Sequence, residues 1–322
     1  MSATIYDVAT GAGVSISTVS LALNAPDRVS PDTLQRIMAT IDELGFVPKT
    51  EAVIRARRGT GRIGVIAPFT AFPAAFGRRL SGVLQGATAS NLEIAVFDQA
   101  SAATSRLVSL PITRRVDGLV IMSVPFDEAI ERRLVDQAIP TVLVEIPHNG
   151  FSTVIIDHAG GGRAVAELFV SRGHRRFAFI GHRQTHDYRS QSLTQLEGFR
   201  SALPTEPQVR NIDYRVSEAV ATAIDLLDNA DRPTAIFAHD DLLASGVMEA
   251  ARQLGLSVPE DLAIAGFNDS EIAEPLGLTT VRQPFEESGE VAMGMLLDQL
   301  ADPAVSRRDV TLGVSLIQRA TT

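Results

Sequence analysis

The chain has 322 residues, 45% of them hydrophobic and none of them cysteine. A hydrophobic share of this size indicates a folded protein, and the lack of cysteine excludes disulfides, zinc ribbons and thiol catalysis. No apolar run approaches the roughly 18 residues of a membrane span, and Met1–Asp7 lacks the pattern of a signal peptide. We therefore expect a cytoplasmic protein of about two domains.

The formal net charge of −9 is unevenly distributed. Residues 1–62 contain seven basic and six acidic residues, a net charge of +1, which leaves −10 for the remainder. Four of the basic residues lie at positions 55–62, beside Gly59 and Gly61, and this composition predicts a basic linker between two unlike parts. The overall acid excess therefore does not exclude nucleic-acid binding by the first part.

The first part begins with two predicted helices. Thr4 and Asp7 have the spacing of a capping box for the first helix, which Gly11 or Gly13 ends. Ser15 can cap a second helix after a turn of only a few residues. This is the spacing of a helix-turn-helix unit, in which the second helix enters the major groove of DNA.

The second helix is expected to end near Asn24, and a third helix follows. Ser30 is its predicted cap, Pro31 its first residue and Gly45 its terminator. Apolar residues recur at helical spacing along it, namely Leu34, Ile37, Met38, Ile41 and Leu44. Three helices of this kind can share one small core.

The rest of the chain alternates short apolar runs with amphipathic segments of helical length. The runs are Ile63–Ala67, Leu92–Phe97, Gly118–Met122, Thr141–Val144, Val154–Ile156, Phe177–Ile180, Ala235–Phe237 and Leu262–Ala265. So many strands over about 260 residues predict two doubly wound parallel sheets rather than one. Each sheet would present the carboxyl ends of its strands to a ligand cleft between two lobes.

Three other motifs do not support catalysis. Gly59–Gly64 has the glycine pattern of a dinucleotide site, but it precedes the predicted strand instead of following one. Gly160–Gly162 lacks the Lys-Ser/Thr of a phosphate loop. His182 and His186 could share one helical face, but arginine follows His182 where a zinc helix has glutamate. We therefore expect no metal, no cofactor and no enzymatic activity.

The residues resemble the lactose-repressor (LacI/GalR) family of bacterial transcription regulators. In the first part, the matching segments are Thr4–Thr10, Gly13–Ser20, Leu23–Asn24, Val29–Ser30 and Leu44–Pro48. In the second part, they are Ile63–Val65, Arg114–Val120, Arg172–Arg176, Ala235–Ala238, Val258–Asp261 and Thr279–Gln283. The resemblance covers essentially the whole chain.

This resemblance implies an all-α helix-turn-helix headpiece plus an α/β two-lobed periplasmic-binding-protein-like core. The headpiece would occupy residues 1–46, the hinge 47–61, and the effector-binding and dimerisation core 62–322. Lobe 1 would comprise about 62–159 and 284–312, and lobe 2 about 160–283 and 313–322.

For DNA reading, the resemblance implies base contacts by Ile16, Ser17 and Leu21. Ile16 and Leu21 suit thymine methyl groups, and the Ser17 hydroxyl can donate or accept a hydrogen bond. Leu21 stands where many relatives have Arg, Lys or Ala, so one bidentate guanine contact is absent. The candidate phosphate contacts are Thr4, Tyr6, Ser15, Thr18, Ser20, Asn24 and Arg28. Helix capping is the alternative explanation for the hydroxyl side chains.

The hinge of the family wedges a leucine into the minor groove, and the matching position here is Arg55. Two interpretations stay open. Either Ile54 is the wedge in a shifted register, or Arg55 enters a narrow minor groove as a cation.

For the effector, Phe72 and Phe76 match aromatic positions that could stack on a sugar ring, although either could instead belong to the core. Other cleft positions match Ser123, Asp157, Arg189, Gln195, His239, Asn268 and Phe285. Gln195, His239 and Asn268 stand where the family usually has Arg, Asn and Asp. Because the usual charged pair is lost, we expect a neutral or weakly polar effector, first of all a sugar. His239 should be mostly neutral at pH 7 unless a carboxylate raises its pKa.

The mechanism that the resemblance implies is a ligand-linked change in DNA affinity. A homodimer would place two headpieces on a pseudo-palindromic operator near the nucleoid, and the effector would shift the population of two states. Whether the ligand releases or strengthens DNA binding stays open, although repression of sugar-utilisation genes is expected. A solute-binding protein would share the core but needs a signal peptide and no headpiece. A nicotinamide-dependent enzyme would need the glycine motif after a strand.

Overall fold

The computed structural model describes residues 3–24, 28–44, 46, 61–88, 90, 92–99, 116–184 and 188–322. The chain forms two compact units. The first comprises Met1–Ala71, Val83–Thr153 and Gly289–Arg308, and the second comprises Phe72–Gly82, Val154–Ser288 and Asp309–Thr322. The expected boundaries of the headpiece, hinge and lobes stay predictions.

The three predicted N-terminal helices are confirmed. They are α1 (Ile5–Ala12), α2 (Ile16–Asn24) and α3 (Pro31–Leu44). The Thr4 hydroxyl accepts a hydrogen bond from the Asp7 backbone N–H at 3.4 Å, and the Asp7 carboxylate accepts one from the Thr4 N–H at 2.8 Å, which completes a capping box. Gly13, with φ of 63°, is the glycine that ends α1.

The helices of the headpiece bury one small apolar core. Its buried members are Val8, Ala9, Ala12, Val19, Ala22, Ile37, Met38, Ile41 and Phe46. On α3, the buried Ile37, Met38 and Ile41 occupy one face, as their spacing predicts. A core of this size stabilises a domain by only a few kcal/mol, so each member matters.

The first unit carries a parallel sheet built from β1 (Arg62–Ala67), β2 (Glu93–Asp98), β3 (Gly118–Met122) and β4 (Thr141–Val144). Their order is β4-β3-β1-β2, and every pairing among them is parallel. Strand β3 is buried throughout, as expected for a central strand covered on both faces. Strands β5 (Ser152–Ile156) and β11 (Asp309–Leu312) are neighbours.

The second unit carries a four-stranded parallel sheet. It consists of β6 (Phe177–His182), β7 (Gln208–Ile212), β8 (Ala235–Ala238) and β9 (Ala263–Ala265), in the order β7-β6-β8-β9. The strand order reverses beside β6, because β7 lies on one side and β8 on the other. In a doubly wound sheet, ligands bind at the carboxyl ends of the strands beside such a reversal.

Helices separate the strands in both units. The remaining described helices are α4 (Pro73–Ala87), α5 (Glu128–Asp136), α6 (His158–Ser171), α7 (Gln191–Ala202), α8 (Val216–Leu227), α9 (Asp241–Gln253) and α10 (Phe285–Ala301). No helix among the described residues is long and apolar enough to cross a membrane.

Gly162, the last residue of the glycine run, and Gly198 let α6 and α7 pack closely. A Cβ at Gly162 would lie 2.1 Å from the backbone oxygen of Gln195, and a Cβ at Gly198 would lie 1.9 Å from that of Ala159. Both distances are far below van der Waals contact. These glycines therefore serve helix packing, and Gly61 and Gly64 of the other glycine motif precede or lie within β1 instead of opening a helix.

Candidate functional site

The candidate ligand site lies at the carboxyl ends of the strands in the second unit. His182 is the last residue of β6, Tyr214 follows β7, His239 directly follows β8, and Asn268 follows β9. Parallel strands end at one edge of their sheet, so all four side chains originate from the same edge. The sequence predicted the placement of His239 and Asn268 but not the contribution of His182 or Tyr214.

Phe72 joins this edge through aromatic contacts. Its ring centroid lies 5.0 Å from that of Tyr214, 6.1 Å from that of His182 and 6.4 Å from that of Phe76. The contacts with Tyr214 and His182 are edge-to-face, which is a favourable geometry for aromatic pairs. Phe76 is buried on α4, whereas Phe72 is only half-buried and precedes the helix. Phe72 is therefore the more accessible of the two candidate stacking residues.

His239 and Gln195 form the polar part of the site. The Nδ1 atom of His239 lies 2.9 Å from Oε1 of Gln195, whose side chain is buried on α7. The His239 and His182 rings are nearly parallel, with centroids 6.3 Å apart. Burial, together with His182 and His158, lowers the pKa of His239 to about 3, and burial lowers the pKa of His182 despite the nearby Asp213. Both imidazoles are thus neutral at pH 7.

Asp240 lies beside His239 and is hydrogen-bonded at both carboxylate oxygens. Oδ1 accepts a hydrogen bond from the Leu243 N–H at 2.9 Å and caps α9, while Oδ2 accepts one from the Tyr214 hydroxyl. Burial of the carboxyl group raises the pKa of Asp240 to about 6 against these hydrogen bonds. The pKa of the Tyr214 phenol is raised by burial and by the Asp240 charge, so the phenol stays protonated.

Asn268 has an unusual backbone conformation for a residue with a side chain, with φ of 109°. Its N–H donates to the Val281 carbonyl at 2.8 Å, and its Oδ1 accepts a hydrogen bond from Nε2 of the buried Gln283 at 2.5 Å. The surrounding strands therefore hold the strained backbone, and Gln283 fixes which way the amide points.

Four other predicted effector residues have different surroundings. Asp157 caps α6 by accepting a hydrogen bond from the Gly160 N–H at 2.8 Å, and the exposed Arg189 pairs with Glu197 at 2.5 Å. Phe285 is buried, with the guanidinium groups of Arg78 and Arg79 at 5.0 and 5.1 Å from its ring centroid. Ser123 directly follows β3 of the first unit and has a φ of 53°. Effector contacts by these four residues stay predictions.

The headpiece presents the beginning of α2 to solvent. Ile16 is 40% exposed, Ser17 is exposed and Leu21 is half-buried. An isoleucine that a small domain leaves this exposed at a helix N-terminus is available for contact with a base. The exposure of Ile16 and Ser17 therefore fits the predicted base contacts.

The candidate phosphate contacts of the headpiece include helix caps and exposed side chains that cap no helix. Thr4 and Ser15 are caps: Ser15 Oγ accepts a hydrogen bond from the Thr18 N–H at 3.1 Å and lies 2.7 Å from the hydroxyls of Ser17 and Thr18. Tyr6 is 67% exposed, and Ser20 and Arg28 are also exposed. Capping does not prevent a hydroxyl from contacting phosphate, so the phosphate contacts stay predictions. The Asn24 side chain, Ile54 and Arg55 lie outside the described residues.

An ion pair links α3 of the headpiece to α5 of the sheet region within the first unit. Arg133 donates to both carboxylate oxygens of Asp42, with Nε–Oδ1 and Nη2–Oδ2 distances of 3.0 and 2.8 Å. The Arg133 side chain is 6% exposed and that of Asp42 is 37% exposed. A planar bidentate pair of this kind fixes orientation as well as distance. No motif in the sequence pointed to this contact.

Within the described part of the chain, no three His, Asp or Glu side chains are grouped as a metal site requires. His186, which the sequence pairs with His182 as a possible zinc ligand, lies outside that part.

Two family models match separate parts of the chain. The model of bacterial regulatory proteins of the lacI family matches residues 4–49, and that of the periplasmic binding protein-like domain matches residues 166–322. The repressor CytR of Escherichia coli K12 is 30% identical over 99% of this chain and 96% of its own length. Catabolite control protein A of Priestia megaterium is 29% identical over 97% of both chains.

Solved structures agree with these sequence matches. The complex of the transcriptional regulator CelR with cellobiose has a TM-score of 0.71 at 26% identity and covers 99% of this chain and 100% of its own. The lac repressor dimer bound to operator and the anti-inducer ONPF has a TM-score of 0.70 at 25% identity, covering 100% of this chain and 99% of its own. The helix-turn-helix headpiece and the two-lobed periplasmic-binding-protein-like core are thereby confirmed. The chain belongs to the lacI family of bacterial transcription regulators.

Proposed function

We propose that this regulator is a sugar-responsive repressor that binds a pseudo-palindromic operator as a homodimer. The observation that supports this most is that the chain combines an exposed α2 N-terminus with a site of aromatic rings and neutral histidines at the edge of the second sheet. The helix N-terminus can read bases, and the aromatic and histidine site can bind a small polar molecule. The relatives include a regulator solved with cellobiose and a repressor dimer solved on its operator.

On the DNA side, Ile16 and Ser17 carry the base contacts, with Leu21 beside them. The hydroxyl groups of the headpiece, with Tyr6 and Arg28, contact phosphates, and either Ile54 or Arg55 enters the minor groove. Because residues 1–62 have a net charge of only +1, nonspecific affinity should be weak. Operator affinity should therefore depend on two headpieces acting together.

On the ligand side, Phe72 and Tyr214 offer apolar ring faces and edges, and His239, Gln195 and Asn268 offer hydrogen bonds. The imidazoles are neutral and the Asp240 carboxylate is already bonded to Tyr214, so the site suits a neutral, polyhydroxylated ligand. Ser123, Asp157, Arg189 and Phe285 remain candidates for further contacts. Binding without catalysis, and a cytoplasmic location, belong to the same proposal.

DNA reading can be tested with Ile16→Ala in the full-length chain. The loss of an isoleucine contact with a thymine methyl should weaken binding by about 1 kcal/mol per headpiece, and so by about 2 kcal/mol, or about 30-fold, for the dimer. Val216 provides a matched control, because it is also an exposed apolar residue at the first position of a helix, α8. Gel shifts that respond equally to Ile16→Ala and Val216→Ala would contradict the assignment.

Ligand response can be tested with a thermal-shift screen of neutral sugars, followed by footprinting with each sugar that binds. A sugar that raises the melting temperature and changes operator occupancy supports the proposal. If no sugar does so, and a cofactor or substrate turnover is found instead, the regulatory ligand has been assigned to the wrong class.

A further inference from the structure

Gln195 is held rigidly next to His239. Its helix α7 packs on α6 so tightly that a Cβ at Gly162 would lie 2.1 Å from the Gln195 backbone oxygen. The Gln195 side chain is only 1% exposed. His239 directly follows the buried strand β8, and its N–H donates to the Ile180 carbonyl at 2.8 Å. Neither residue can move without disturbing the packing of its element.

The contact between these residues determines where the histidine carries its proton. Nδ1 of His239 lies 2.9 Å from Oε1 of Gln195. A carboxamide oxygen accepts hydrogen bonds and never donates them, so Nδ1 must be the donor. In a neutral ring the other nitrogen, Nε2, then carries the lone pair. Free histidine in water favours the opposite tautomer, so the protein must supply this preference.

The surroundings keep the ring neutral. The titratable groups close to it are His182 at the end of β6, His158 on α6, and Asp240 with Asp241 at the start of α9. The two histidines oppose protonation of His239, and the Asp240 carboxylate is occupied by the Tyr214 hydroxyl and the Leu243 N–H. Asp241 is occupied by Ser270 and Thr280. Both carboxylates are therefore engaged by donors other than the imidazole.

We infer that Gln195 is a specificity-determining residue of this site, because it fixes His239 as the Nδ1–H tautomer whose Nε2 accepts a hydrogen bond from a ligand hydroxyl. The inference rests on the proposed function for its ligand class. A lone pair on Nε2 attracts a hydroxyl and repels a carboxylate or phosphate. The site therefore selects an uncharged sugar over its acidic or phosphorylated form.

The tautomer can be measured directly. Full-length protein is labelled with histidine carrying nitrogen-15 only at Nδ1, and its solid-state nitrogen spectrum is recorded near pH 7. The His239 signal is identified by its loss in His239→Asn. The expected result is a protonated, pyrrole-type Nδ1 in the wild type, the same in Gln195→Glu, and a pyridine-type Nδ1 in Gln195→Leu. Glutamate keeps an acceptor at this position, whereas leucine removes it without a large change in volume.

His174 provides an internal control, because the partner of its Nδ1 is the Thr234 hydroxyl, 3.0 Å away, and not Gln195. Its signal should be the same in all three proteins, and a change there would show that a variant had disturbed the whole fold. A pyridine-type Nδ1 of His239 in the wild type, or a pyrrole-type Nδ1 that persists in Gln195→Leu, overturns the inference.

Selectivity is measured by calorimetry with ribose and ribose 5-phosphate, or with another sugar from the screen and its phosphate. We expect the neutral sugar to bind at least tenfold more tightly, and Gln195→Leu to bind it about tenfold more weakly than the wild type, the loss of about one hydrogen bond. Tighter binding of the sugar phosphate than of the neutral sugar overturns the proposed selectivity. If every neutral sugar fails to bind while the tautomer is as expected, the proposed function is wrong in its ligand class and the role of Gln195 in the tautomer stands.

Discussion

Asp240→Asn should make the protein more stable at neutral pH and leave its stability nearly unchanged near pH 4. The carboxyl group is buried, caps α9 through the Leu243 N–H and accepts a hydrogen bond from Tyr214. Asparagine keeps an oxygen at the capping position and is itself a good N-cap, so the local structure should survive. The variant therefore removes the negative charge and little else.

The pH dependence of stability follows from the direction in which the pKa of Asp240 is shifted. Burial raises the pKa of Asp240 from 3.8 to about 6, so between these values the folded state binds more protons than the unfolded state. Stability contributed by this carboxyl group is thus present below about pH 4 and is lost as the pH rises to about 6. A shift of about two pKa units corresponds to about 3 kcal/mol.

His182 and His239 have the opposite effect on how stability changes with pH. Their lowered pKa values mean that the unfolded state binds more protons below about pH 6.5, so their contribution to stability grows as the pH rises towards that value. The useful quantity is therefore the difference between variant and wild type, in which these contributions cancel. For Asp240→Asn this difference should grow by about 3 kcal/mol from pH 4 to pH 7.

Urea unfolding followed by far-ultraviolet circular dichroism measures this difference, because the chain has no tryptophan for fluorescence. Tyr214→Phe is the complementary variant: it removes a hydrogen bond that favours the charged form, so the pKa of Asp240 should rise further. Tyr214→Phe should consequently lose stability relative to the wild type as the pH rises. A difference between Asp240→Asn and the wild type that stays constant from pH 4 to pH 7 would refute the reasoning.

Three further predictions concern packing. Ile37→Ala should lower the free energy of unfolding of the headpiece by about 2–5 kcal/mol, which is enough to unfold a domain with so small a core. Gel shifts should then show no operator binding while the core keeps its thermal transition, and retained binding would contradict this. Asp42→Ala leaves the buried Arg133 without its carboxylate and should lower the free energy of unfolding by about 1–3 kcal/mol. A double-mutant cycle with Arg133→Met should show that this loss belongs to the pair, whereas additive effects of the two substitutions would contradict that. Gly198→Ala should lower the melting temperature by several degrees because its Cβ meets a backbone carbonyl, whereas Gly294→Ala, with nothing within 4 Å, should not lower it.

The headpiece could be predicted from sequence because its signals are local. Thr4 and Asp7 form the predicted capping box, and Pro31 begins α3 as expected. A cap depends on residues within one turn of each other, so a sequence pattern contains the required information. The pair formed by Asp42 and Arg133 could not be predicted, because 91 residues separate its members and only the fold brings them together.

The core strands were predictable where they are continuous and apolar. The predicted runs lie in β1–β6, β8 and β9. Strands β7, β10 (Thr280–Arg282), β11 and β12 (Ser315–Ile317) were not predicted. Strands β7 and β11 are partly exposed edge strands, and the short β10 and β12 mix polar with apolar residues, unlike the equally short but fully apolar β9. β10 and β12 pair with each other in an antiparallel ladder, a contact that no local pattern specifies.

The same limit applies to the candidate site. Phe72, Gln195 and His239 were predicted from the family resemblance, and the structure places Gln195 against His239. Tyr214 was missed because the strand before it was missed. His182 was considered only as a zinc ligand, although its position at the end of an apolar run could have placed it at the sheet edge beside His239.

The coupling between ligand and DNA is measured most directly by selecting operators from a random DNA pool with the full-length chain and titrating the selected DNA by fluorescence anisotropy, with and without each sugar that binds. A pseudo-palindromic site, bound with an affinity that one sugar changes by about 5- to 150-fold, is the predicted result. Binding without sequence preference, or an operator affinity that no bound sugar changes, would contradict the assignment of this chain as a sugar-responsive repressor.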